Sequence, residues 1–215
     1  MRWATAAAST TIFMTASLVR LLQLASPTLP VGAYSYSQGL EAAVEAGIVT
    51  DAASAERWIG DVLQFSVARS DVPLLWRMLH GEDCNAEFVA SRETAELRAE
   101  TLQMGHSLAR LLASLGVDAP EGEMAFPAVF AVAARAWNID PRAALVGYLW
   151  GWLENQVMAA VKTVPLGQTD GQKILVALGS RLEAIDPHTE FSNFAPGLAV
   201  LSARHETQYS RLFRS

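Results

Sequence analysis

The chain has 215 residues, 51% hydrophobic and 18% charged, with a formal net charge of −6 and a pI near 5.2. An acidic chain without a basic stripe is not built to bind nucleic acid. Its single cysteine, Cys84, rules out an internal disulfide and suits a reducing compartment. The length fits one domain with a sizeable core. A charged fraction below the roughly 25% of an average domain leaves apolar surface for another protein to cover.

The first 16 residues combine an Arg with several alanines, but Ser9, Thr10, Thr11 and Thr15 break the apolar run that a signal peptide needs. They read as a disordered leader, or as an upstream start with Met14 as the usual one. Ser17 to Ala25 forms a short helix, stopped by Ser26-Pro27. A second helix starts near Ser37 and runs to Gly47. Thr50-Asp51 caps a third, in which Trp58, Val62 and Phe65 share an apolar face. Asp71-Val72-Pro73 opens a fourth, with Gly81 as its stop.

Residues 85 to 115 make one long helix or two joined ones. Leu97, Met104, Leu108, Leu111 and Leu115 form a seam for a neighbouring helix. Glu93, Glu96, Arg98 and Glu100 are expected on its solvated face. Phe126 to Trp137 is another apolar helix. Asp140-Pro141 starts a helix, Arg142 to Val164, that is apolar all round and therefore expected to be enclosed on all sides. "LGQTDGQ" is a turn, Gln172 to Ile185 a further helix, and Phe194 to about Ser202 the last. No apolar run approaches the ~18–20 residues of a membrane span. The expectation is an all-α single globular domain, residues 17–203, of about eight to ten helices. A flexible C-terminal tail follows at 204–215.

No catalytic constellation emerges. A zincin helix needs His-Glu-x-x-His, and "HETQY" places Tyr209 where the second histidine belongs. "GQTDGQK" has the wrong glycine spacing for a phosphate loop, and "SYSQG" lacks the first glycine of a nucleophile elbow. Cys84 sits in the acidic "GEDCNAE", which raises a thiol pKa. Neither cofactor nor metal is expected.

Two polar features stand out. Glu154, Asn155 and Lys162 interrupt the apolar central helix, either as an internal polar network or as a groove that Lys162 lines. An enzyme site around Glu154 and Lys162 is the rival to a binding role. The stretch "SPTLPVGAYSYSQGLE" carries two rigidifying prolines, and its Tyr34 and Tyr36 are residues typical of interface anchors.

That loop, in "LLQLASPTLPVGAYSYSQGLEAAVEAGIV", resembles the opening signature of the UreF family of urease accessory proteins. The resemblance continues through "SRETAELRAETLQMGHSLARLL", "LWGWLENQVMAAVKTVPLGQTDGQKIL" and "SARHETQYSRLFRS", covering the chain from about Leu18 to Ser215. It implies an all-helical, dimeric, cytoplasmic protein that is not an enzyme. Such a protein binds UreD (UreH in some species), recruits the GTPase UreG and docks on apo-urease, where GTP hydrolysis is coupled to nickel delivery. It also implies a C-terminal segment that orders when UreD is bound. That segment, Arg204 to Ser215, carries three arginines against one glutamate, with aromatic and Arg side chains of the kind that dominate interfaces. Tyr34, Tyr36, Glu41, Lys162, Arg204, His205, Glu206, Tyr209, Arg211 and Phe213 are the expected partner-binding residues. Of these, Glu41 and Lys162 match polar positions of the family signatures.

Overall fold

The structure, a computed structural model, describes residues 16–215. Among these every regular element is helical. The α-helices are α1 (residues 16–25), α2 (Leu40–Glu45), α3 (Ala52–Val62), α4 (Asp71–Leu79), α5 (Asn85–Ala90), α6 (Ala95–Ser114), α7 (Phe126–Ala136), α8 (Pro141–Thr163), α9 (Gln168–Gly179) and α10 (Pro196–His205). They build one domain. The proposed leader and alternative start lie, Ala16 apart, outside the described residues.

Local chemistry sets most boundaries. Asp51 accepts from the Ser54 amide and Ser54 answers to the Asp51 amide, a reciprocal cap that opens α3. Thr94 caps α6 and Asp140 caps α8, each accepting from the amide three residues on. Thr94 also makes two helices of the 85–115 stretch.

Helix α8 is the hub, packing on α2, α3, α4, α7 and α9. Leu145, Leu149, Leu153 and Val157 along it are buried. It is not enclosed on every side, however. Among the described residues, Trp150 and Met158 remain 38% and 40% exposed. Lys162 is exposed in its last turn.

Three expectations are corrected by packing. Phe65 does not share the face of Trp58 and Val62; it is 47% exposed. The helix continues past Val62 as a π-turn, Leu63–Val67, and its extra residue per turn rotates Phe65 outward while Ser66 and Val67 turn inward. The "LGQTDGQ" stretch, expected as a turn, is helical from its third residue: α9 already begins at Gln168. Gly171 marks a close helix crossing instead, since a Cβ there would meet the Val161 side chain at 2.9 Å. Finally, the acidic face of α6 is not solvated. Glu100 is 5% exposed, and the Glu96 side chain is 14% exposed.

Candidate functional site

The site forms where the loop before α2 meets α6, α10 and the residues that follow α10. The loop turns sharply: Gln38 and Gly39 both have left-handed backbones, φ 52° and 81°. Gln38 is a non-glycine residue in that strained region. The bend aims its side-chain amide at two partners. It donates to Glu100 Oε1 at 2.7 Å and accepts from the Trp152 indole at 2.7 Å. Asn155 of α8 donates to the Tyr36 carbonyl at 3.0 Å, which fixes the loop from below.

Glu41, 9% exposed at the start of α2, is the main anchor. Its carboxylate accepts from the backbone amides of Leu212 and Phe213 at 2.6 and 2.9 Å. It also faces His205 Nε2 at 3.1 Å. The other ring nitrogen, Nδ1, lies 2.7 Å from Glu96, whose second oxygen accepts from Arg211 at 2.5 Å. Both ring nitrogens thus face carboxylates. An imidazolium donates to both; a neutral ring donates to one.

Residues 206–215 fold back over this cluster. The Arg214 amide donates to the Ser35 carbonyl at 2.8 Å, and the Ser37 amide donates to Ser215 O at 2.8 Å. The Ser215 hydroxyl donates to Glu100 Oε2 at 2.8 Å. Phe213 is buried, and Lys162 Nζ stands 5.5 Å from the centre of its ring. Tyr36 is buried too; burial raises its phenol pKa, the Glu100 charge adds to this, and Arg214 opposes it.

Behind Gln38 and Glu100 lies a cavity of about 220 Å³, bordered also by Asp71, Arg92, Glu93 and Tyr148. Arg92 pairs with Asp71 at 2.8 Å, and the Tyr148 hydroxyl donates to the same carboxylate at 3.1 Å. Burial lifts the Glu93 carboxyl above its ordinary range. It lifts the Tyr148 phenol well above its own, helped by the nearby Asp71 charge. Among the described residues, buried Arg92 Nε and Glu93 Oε1 have no hydrogen-bond partner.

Of the partner-binding residues expected from the sequence, Tyr36, Glu41, Lys162, His205, Arg211 and Phe213 come together here. Tyr34, Arg204, Glu206 and Tyr209 point to solvent, Tyr34 at 65% and Tyr209 fully exposed. Arg204 and His205 end α10 rather than starting a separate tail. Glu96, expected on a solvated face, is instead bonded by both His205 and Arg211. Ser37, Gln38, Glu100, Arg214 and Ser215 were missed. For Glu100 a signal existed: Leu97, Glu100 and Met104 step by 3 and 4, so Glu100 lies on the apolar seam itself.

Glu154 and Lys162 both border the cavity. Among the described residues no hydrogen bond or ion pair joins them. Among the same residues, no three His, Cys, Asp or Glu side chains are placed to hold a metal ion, and no helix is long and apolar enough to cross a membrane.

Comparison with known proteins decides the family. The UreF family model matches residues 49–179. The chain is 55% identical to the urease accessory protein UreF of Azoarcus sp. (strain BH72), over 92% of this chain and 95% of that protein. It is 53% identical to its counterpart in Dechloromonas aromatica (strain RCB), over 92% and 97%, and 47% identical to that of Janthinobacterium sp. (strain Marseille), over 93% and 98%.

The chain belongs to the UreF family.

The matched UreF region spans α3 to α9 and contains Glu96, Glu100 and Lys162. The loop residues Ser37 to Glu41 and the segment after α10 lie outside it.

Proposed function

We propose that this UreF-family chain is a non-catalytic scaffold of urease maturation. It binds UreD/UreH, recruits and regulates the GTPase UreG, and so serves nickel insertion into apo-urease, acting in the cytoplasm as a homodimer. Nickel is cargo here, not a resident cofactor.

One observation carries the reading. Residues 211–215 are held by groups of the loop, α2 and α6, yet Leu212 among them is 63% exposed and Tyr209 just before them is turned outward. A segment anchored from beneath with its apolar side chains in solvent is a preformed contact surface. Phe194 and Val200, 79% and 51% exposed, are further apolar side chains in solvent, on the chain before α10 and on α10 itself. Lys162, exposed beside Phe213, adds a positive charge.

The test is co-purification with UreD/UreH. Truncation after Glu206 leaves α10 and the His205–Glu96 contact in place, and is expected to abolish capture. Full capture by the truncated chain defeats the reading. Lys162→Ala is expected to lower urease activation in cells while leaving the helical signal of the purified protein unchanged. Unchanged activation removes Lys162 from the partner surface.

A further inference from the structure

We propose that Glu100 and Ser215 form a proton-sensitive latch that sets how firmly the C-terminal segment is seated. This goes beyond the scaffold reading, because it concerns the chain alone and is measured without partners.

The geometry comes first. Glu100 projects from the middle of α6 into the interior and is 5% exposed. One oxygen receives the Gln38 amide; the other lies 2.8 Å from the Ser215 hydroxyl, which donates to the ionised carboxylate and accepts from the protonated carboxyl. Ser215 is itself fully buried, and its carbonyl oxygen is held by the Ser37 amide. The end of the segment therefore lies against the carboxyl group, and lifting it admits water to Glu100. Gln38 is not free to follow, because the Trp152 indole holds its other end at 2.7 Å.

The charged surroundings give the sign. Burial pushes the Glu100 carboxyl up to about 7 from its ordinary 4.5; the Gln38 and Ser215 donors and Arg92 pull it down, and Asp71 pushes it further up. Other groups facing this region are Tyr36 on the loop, Tyr148 on α8 and Arg214 on the segment itself. The segment's second anchor holds Glu41, Glu96, His205 and Arg211. A buried carboxyl with a raised pKa keeps its proton while seated and loses it when wetted. Seating is therefore strongest in acid. It weakens as pH rises from the ordinary carboxyl value to about 7, by up to about tenfold per pH unit, and levels off above that.

The experiment follows carboxyl ¹³C chemical shifts and backbone-amide exchange in the full chain from pH 5 to 8, with exchange corrected for its intrinsic pH dependence. Glu100 is expected to titrate near neutrality. Protection of the Leu212, Phe213 and Arg214 amides is expected to fall at least about tenfold between pH 5.5 and 7.5. In Glu100→Gln that fall is expected to shrink to less than about threefold. In Ser215→Ala, which loses one donor to the ionised form, the Glu100 titration moves to higher pH. Should Glu100→Gln fail to fold, the wild-type and Ser215→Ala titrations decide alone. The proposal is overturned if Glu100 titrates in the ordinary carboxyl range. It is equally overturned if Ser215→Ala leaves that titration unmoved, or if Glu100→Gln keeps the full pH dependence.

Discussion

His205 and Glu41 stand 164 positions apart in the chain and 3.1 Å apart in space. The contact joins the end of α10 to the start of α2. Because the same carboxylate receives two amides of the following segment, it couples the C-terminal residues to the helical body. Hydrogen bonds to a charged group contribute about 1.5–3 kcal/mol each. Glu41→Ala is therefore expected to raise the opening frequency of the segment at least about 100-fold. Amide exchange at Leu212 and Phe213, and tryptic cleavage after Arg211, report it. Wild-type protection in the variant contradicts the assignment of Glu41 as anchor.

The Arg92–Asp71 pair is a buried ion pair. Removing one charge strands the other in the interior, at about 3–5 kcal/mol, whereas removing both is far milder. Arg92→Met is expected to lower stability by that amount in urea unfolding. Arg92→Met combined with Asp71→Leu is expected to recover most of it. If the double variant is as unstable as the single, the loss comes from packing of the Arg92 side chain on Phe88, over which it stacks at 4.2 Å.

Two glycines at helix contacts should respond differently to alanine. At Gly105 a Cβ would sit 2.0 Å from the Met124 carbonyl oxygen, a backbone atom; at Gly147 it would sit 2.5 Å from a Leu21 methyl. Backbone yields less readily than a side chain. Gly105→Ala is expected to cost about 3 kcal/mol or more and Gly147→Ala about 1. The Tm losses would be about 6–12 °C against about 2–4 °C. Equal losses would show that the α6–α7 connection moves as easily as Leu21.

Cys84 is 2% exposed, and burial pushes its thiol pKa up, with Arg77 opposing and nearby acidic groups adding to the rise. A raised pKa leaves less thiolate at neutral pH, and burial blocks approach. Labelling by a disulfide reagent at pH 8 is expected to be about 100-fold slower in the native chain than in urea. Rapid native labelling would mean that the start of α5 opens readily.

Much of this was legible in the residues. Asp51 and Asp140 are short acceptors ahead of apolar periodic stretches, and each caps a helix. Capping is a local competition for backbone amides, so nearby sequence determines it. Glu41, His205, Arg211 and Phe213 were singled out before their meeting point was known. The anchor they share was not, because Glu96 and Glu100 resemble an ordinary polar helix face until another element covers them.

The amino-acid order alone settled the all-helical class, the capped starts of α3 and α8 and the lack of a hydrolytic or phosphate-binding motif, since these depend on contacts a few residues apart. Tertiary packing decided which side of each helix is wet. It turned Phe65 outward through a π-turn, made Gly171 a crossing point rather than a turn, and buried Glu100 under Ser215, 115 positions away. Burial is a property of the neighbours a residue acquires, and those neighbours come from distant parts of the chain.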